Sequence, residues 1–273
     1  MSPSDLSRRD ALRWLALACV APLAACGRRG EPDLPPAHDM SGMPADWLGN
    51  ERILYVVYPK FTALDMVGPH YMLSNLVGSR NHVVARTKAP VTSDTGLVFM
   101  PDYDLDSAPA DPDIVVIPGG GMGTLEALKD DALIDWIRRI GQGKTLMTSV
   151  CTGSLLLGQA GLLRGRRATS HWVARDSLAH FGAIPVAERW VEDGPVITGA
   201  GVTAGLDFGL SLVAKRRNDE FARCVQVLAE YDPHPPFQAG TPEKAGPTTM
   251  ATMNAMFVGF DDHIRHLAER QRR

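Results

Sequence analysis

Cys151 is the residue whose type and setting most clearly point to chemistry. Lys144-Thr145-Leu146-Met147-Thr148-Ser149-Val150 has the make-up of a buried strand, and Cys151-Thr152-Gly153-Ser154 follows at once, ahead of an apolar helical stretch. A nucleophile at a sharp strand-to-helix corner is a nucleophile elbow, here with cysteine in place of serine. The free N–H groups and dipole of the helix N-terminus are expected to lower the thiol pKa and favour thiolate. Gly153 and Ser154 leave room for substrate. The competing reading, an inert thiol among apolar residues, suits Cys224, which is expected in the core beside Val225 and Val227.

Two further segments should reach the same sheet edge. Ile117-Pro118-Gly119-Gly120-Gly121-Met122-Gly123 follows a strand-like run, and Gly120 and Gly121 could offer unobstructed N–H groups as an oxyanion hole requires. Such a run equally suits a plain strand-to-helix turn. Asp65 lies in Phe61-Thr62-Ala63-Leu64-Asp65-Met66-Val67-Gly68-Pro69, just before a helix expected to start at Pro69. A carboxylate there can cap the helix or serve as an acid and base.

The elements that must position these residues alternate. Short apolar runs rich in β-branched residues fall at residues 53–58, 82–86, 113–117, 145–150 and 196–198. Helical patterns separate them at residues 69–77, 131–141, 154–163, 173–181 and 204–216. That alternation predicts an α/β fold with a doubly wound parallel sheet, which gathers ligands at the carboxyl ends of its strands. Residues 91–102, around Asp94-Thr95-Gly96, read as a hairpin. A further helix is expected over residues 219–231. After the proline-rich residues 232–236, one amphipathic helix is expected with Met250, Met253, Met256 or Phe257, Phe260, Ile264 and Leu267 on its apolar face, packed on the domain or a dimer mate.

Taken in order, residues 61–69, Pro118-Gly119-Gly120-Gly121, Ser149-Val150-Cys151-Thr152-Gly153-Ser154, Arg166-Arg167-Ala168-Thr169-Ser170-His171-Trp172 and Glu230-Tyr231-Asp232-Pro233 resemble the isonitrile hydratase branch of the PfpI-like class I glutamine amidotransferase-like superfamily. The likeness runs from about Arg52 to Pro247. It implies a flavodoxin-like sandwich, commonly dimeric, with Cys151 as nucleophile and Asp65 in the place of the acidic residue that hydrogen-bonds the thiol. It also implies that Thr152 follows the nucleophile where peptidase-like relatives carry histidine, so amide hydrolysis lacks its obvious base. His171 is the nearest substitute by motif, either as a substrate-site residue or as a packed side chain. The implied reaction adds water to a small isonitrile to give an N-substituted formamide, with no metal or other cofactor. Two alternatives stay open. One is a non-catalytic sensor related to the N-terminal domain of AraC-type regulators, although one helix past Ala251 is too short for a helix-turn-helix pair. The other is a different cysteine chemistry, such as hydration or deglycation of small aldehydes.

The chain's 273 residues carry a formal net charge of −3, which argues against a nucleic-acid partner. Its four cysteines exclude a disulfide scaffold. Residues 1–26 read as an export signal: Ser7-Arg8-Arg9 and Leu12 resemble a twin-arginine motif, and Leu23-Ala24-Ala25-Cys26 a lipobox with Cys26 as the lipidated residue. Loss of residues 1–25 removes three arginines against two aspartates and leaves a charge of −4. Cys19 would leave with the signal. The expected organisation is a signal to residue 26, a linker over 27–50, the α/β domain over 51–231, and the connector and C-terminal helix over 232–273. The protein would be periplasmic, touching the membrane through the lipid anchor alone.

Overall fold

The apolar run after Arg52 forms β1 (Arg52–Val56), whose Ile53, Leu54, Tyr55 and Val56 are fully buried because both faces of the strand are covered. In the computed structural model, which describes residues 42–270, β1 lies near the middle of a seven-stranded sheet. Its parallel neighbours are β2 (Arg80–Ala85) and β6 (Ile114–Ile117). Beyond β2 is β5 (Tyr103–Asp104), and beyond β6 come β7 (Leu146–Val150) and β11 (Val196–Gly199), all parallel. The edge strand β10 (Trp190–Asp193), absent from the sequence reading, is antiparallel to β11. β3 (Val91–Thr92) and β4 (Val98–Phe99) form the expected hairpin, and β8 (Arg167–Ala168) pairs with β9 (Ile184–Pro185). From β1 the chain builds outward through β2 and β5, then returns to β6 and builds the other way. The switch point between β1 and β6 is where such sheets open a crevice, and the segments carrying Asp65 and Gly119 leave the sheet there.

Helices α1 (Ala63–Ser74) and α5 (Ala204–Arg216) pack together on the sheet, as do α3 (Asp131–Gly141) and α4 (Gly153–Gln159); α2 (Met122–Ala127) follows the glycine run. The sandwich is the flavodoxin-like fold expected. α3 shows why such a segment is helical: Asp130 caps the Leu133 N–H at 3.1 Å, Arg138 and Arg139 close the last turn, and Leu133, Ile134, Trp136, Ile137 and Ile140 form the buried face.

Four expectations are corrected. α1 starts at Ala63, so Pro69 lies inside the helix; its ring packs where a Cβ on Gly205 of α5 would come within 2.7 Å of Cδ, and this close approach holds α1 in place. Residues 173–181 are turns and a 3₁₀ helix (Asp176–Phe181). α6 (Asp219–Leu228) buries only Phe221, Ala222 and Val225, so Cys224 is exposed; apolar neighbours misled because Val227 and Leu228 are themselves exposed. The last amphipathic helix is interrupted: a short α7 (Pro242–Ala245) precedes α8 (Pro247–Met256), and Gly259 at φ +79° separates it from α9 (Phe260–Arg270). Of these three helices only α9 has buried residues, among them Phe260, Ile264 and Leu267, and its Asp261 accepts Ser177 Oγ at 2.6 Å. The signal, the lipobox and Cys26 lie outside the described residues, as does Cys19; among the described residues no helix is long and apolar enough to cross a membrane.

Arg217, just past α5, is buried against Glu51 at the start of β1. Its guanidinium also donates to the carbonyls of Trp47 at 2.7 Å and Val77 at 3.2 Å, so one side chain ties four chain segments together. Removing one partner of such a pair strands the other's charge. Arg217→Met should therefore cost about 3 kcal/mol in urea denaturation at pH 7. The arginine holds Glu51 below the usual carboxylate range, so its stabilisation is present above the ordinary Glu pKa and lost as pH falls through the lowered value. The difference between wild type and Arg217→Met should shrink on acidification; a constant difference would assign the loss to packing.

Candidate active site

β7 delivers Cys151 into a positive-φ corner (φ 57°), a costly conformation for a side-chain-bearing residue, of order 1–3 kcal/mol. Three bonds to its main chain hold it there. Its N–H donates to the Gly199 carbonyl at 3.1 Å, and its carbonyl accepts Ser170 Oγ at 2.9 Å and Ser154 Oγ at 3.3 Å. Burial pushes the thiol pKa well up and the charge of Asp65 adds to it, outweighing the lowering by the Thr152 N–H and hydroxyl at the helix start.

Asp65, in the first turn of α1, is completely buried. It does not cap its helix. Oδ2 accepts the Gly119 N–H at 2.8 Å across the switch point, and the carboxyl also hydrogen-bonds Cys151. Oδ1 is buried without a partner of good geometry, an arrangement that favours a proton on the group. Burial raises the pKa to about 7, with the Gly119 and Cys151 bonds pulling the other way. At neutral pH this carboxyl can both give and take a proton. The approach needs glycine at 119, because a Cβ there would lie 2.6 Å from Thr152 Oγ1 and 2.9 Å from Asp65 Oδ2.

Thr152 faces the glycine loop. Its Oγ1 accepts the N–H groups of Gly120 at 3.0 Å and Gly121 at 3.2 Å and meets Thr124 Oγ1 at 2.7 Å. The two amides proposed as an oxyanion hole thus converge on the threonine hydroxyl, beside the elbow.

Residues 51–215 carry the sequence pattern of the DJ-1/PfpI family. The chain belongs to that family. Isonitrile hydratase of Pseudomonas putida is 43% identical to it over 195 residues, 71% of this chain and 84% of that enzyme. The crystal structure of a THiJ/PfpI family protein from Pseudomonas syringae superposes with a TM-score of 0.80 at 45% identity, over 88% of this chain and 98% of that one. The HTH-type transcriptional regulator CdhR of Pseudomonas aeruginosa is 34% identical over 154 residues, and this chain spans 44% of it.

In this DJ-1/PfpI protein His171 stands apart from the cluster of Asp65, Cys151 and Thr152. Its ring packs 5.5 Å from Trp172 and 6.4 Å from Phe257, and burial lowers its pKa and keeps it neutral. With Ser170, Trp172, Arg175 and Thr203 it lines a cavity of about 640 Å³, which Ser170 links to the elbow carbonyl. The sequence reading missed four contributors. Gly119 and Ser170 lay inside quoted motifs but had no role there, whereas Tyr58 read only as a strand residue and Thr124 gave no signal. The family-like Tyr231 donates its hydroxyl to Asp207, which also binds Arg189, bracing the far wall of that cavity.

Proposed function

We propose that the protein hydrates a small isonitrile to an N-substituted formamide. The observation that carries this reading is a carboxyl with a pKa of about 7 hydrogen-bonded to a buried, strained thiol, in a chain 43% identical to an isonitrile hydratase. Asp65 takes the Cys151 proton as sulfur bonds the terminal isonitrile carbon, then hands that proton to the same carbon, giving a thioimidate. The Asp65 carboxylate takes one proton of a water as the water oxygen adds to this carbon and passes that proton to the imine nitrogen, leaving a tetrahedral adduct with one hydroxyl. Collapse breaks the carbon–sulfur bond, returns one proton to sulfur and releases the formamide. The test is incubation with a simple alkyl isonitrile, followed by the formyl proton of the product in NMR. No formamide above the buffer rate would end the reading. The likeness to CdhR favours a second one, ligand binding without turnover, for which the same isonitrile would bind and be recovered unchanged.

The homodimer is proposed with it. On α1, on the solvent side of the helix that carries Asp65, Leu64, Val67 and Tyr71 are 45%, 41% and 40% exposed at helical spacing. The Tyr71 hydroxyl donates to the Leu228 carbonyl at 3.5 Å, so Val227 and Leu228 extend the same apolar patch. Val67→Glu should convert a dimer to monomer in sedimentation velocity, and a monomeric wild type would remove the proposal.

A further inference from the structure

The cavity of about 640 Å³ is tied to the elbow from two sides. Ser170, in its wall, donates its hydroxyl to the Cys151 carbonyl at 2.9 Å. The wall segment 200–203 directly follows Gly199, whose carbonyl accepts the Cys151 N–H at 3.1 Å. Besides the neutral His171, the ionisable lining is two arginines and two glutamates, and three of these four are occupied elsewhere. Arg189 donates Nε to Asp207 and Nη2 to Thr203 Oγ1 at 2.8 Å. Glu188 pairs with Arg167, and Glu243, exposed on α7, accepts its own amide and the Thr241 hydroxyl, with a smaller attraction from Arg175. Arg175 differs. Its side chain is only 24% exposed, yet its hydrogen bond runs through Nε alone, at 3.3 Å, to Asp176, which is 89% exposed. Among the described residues its two terminal amino groups, part of the planar fork that matches a carboxylate, have no hydrogen-bond partner. Three residues earlier in the same run of turns, Trp172 adds an aromatic face to the wall.

We propose that Arg175 determines specificity and that the preferred isonitriles carry a carboxylate on their nitrogen substituent. These are isocyanoalkanoates, which hydration turns into N-formyl amino acids. Trp172 and Val202 take the hydrocarbon part, and the Arg175 guanidinium takes the carboxylate through paired, charge-assisted hydrogen bonds. One water adds across the isonitrile carbon and the carboxylate passes through the reaction unchanged. The inference rests on the hydration reading for the reaction, while the binding of the carboxylate needs no turnover.

The test compares isocyanoacetate and its longer homologues with their methyl esters in the full-length protein, following the formyl proton of the product in NMR. In wild type, kcat/KM should favour at least one acid over its own ester by about ten- to hundredfold. Arg175→Met should erase that preference, chiefly by raising KM for the acid. Equal or better use of every ester by wild type, or a preference that survives Arg175→Met, overturns the proposal. If acids and esters alike give no formamide, the hydration reading has failed, and calorimetry then decides the Arg175 site by itself. Its ligands are N-formylglycine and its longer homologues against their methyl esters. Wild type should bind an acid more tightly than its ester and Arg175→Met should not, whereas equal binding in wild type or an unchanged preference in the variant removes the site.

Discussion

Cys151→Ser should abolish isonitrile hydration, lowering turnover by roughly 10³–10⁶-fold while leaving the fold intact. The elbow bonds from Gly199, Ser154 and Ser170 all act on the main chain of residue 151, so they survive exchange of sulfur for oxygen. The positive φ is no harder for serine than for cysteine. What changes is the proton. A carboxyl with a pKa of about 7 can accept the proton of a polarisable thiol as the carbon–sulfur bond forms, but an alcohol is far too weak an acid to lose one to it. The check is a paired measurement: formyl-proton appearance and thermal midpoint. Turnover within tenfold of wild type would show that Cys151 does not form the covalent intermediate, whereas lost turnover with a lowered midpoint would report a damaged elbow.

The strands were legible because parallel strands buried on both faces leave apolar runs such as Ile53-Leu54-Tyr55-Val56, and Cys151 was legible because one such run turns directly into a helix. Asp65 was ambiguous for a physical reason. A carboxylate near a helix start looks the same in one dimension whether it binds its own helix or an amide 54 residues away, and only the β1–β6 switch point brings Gly119 to it. The surroundings of the thiol were only half legible, because a helix dipole is visible in sequence and burial is not. Thr152 was legible as the residue after the elbow cysteine, but its hydroxyl meets Thr124, and through it Tyr58, which arrive from distant segments of the chain. Cys224 failed for lack of depth information. Its helix rests on α5 by one narrow face, and local apolar residues did not reveal which face.

Asp65→Asn should abolish the reaction and stabilise the protein above neutral pH, and the two effects share one cause. In the unfolded chain Asp65 has the ordinary pKa of 3.8, while in the fold burial raises it to about 7. The folded state therefore holds a proton that the unfolded state releases between those values. Its contribution to stability is fully present below the unfolded pKa and is lost as pH rises through the folded one. Above that point the native protein keeps a buried carboxylate at a cost on the order of a few kcal/mol. Asparagine has no such charge, and its Oδ1 can still accept the Gly119 amide. The midpoint of Asp65→Asn relative to wild type should rise with pH from about 4 to about 7 and then level off several degrees higher. Turnover should fall by roughly 10²–10⁴-fold, because neither the thiol proton nor the water proton has an acceptor. A midpoint difference that did not change with pH would mean that Asp65 is not the group titrating near neutrality. Retained turnover would move the proton transfer to another residue. Together the two readouts distinguish a carboxyl kept for catalysis at the expense of stability from one that only braces the glycine loop.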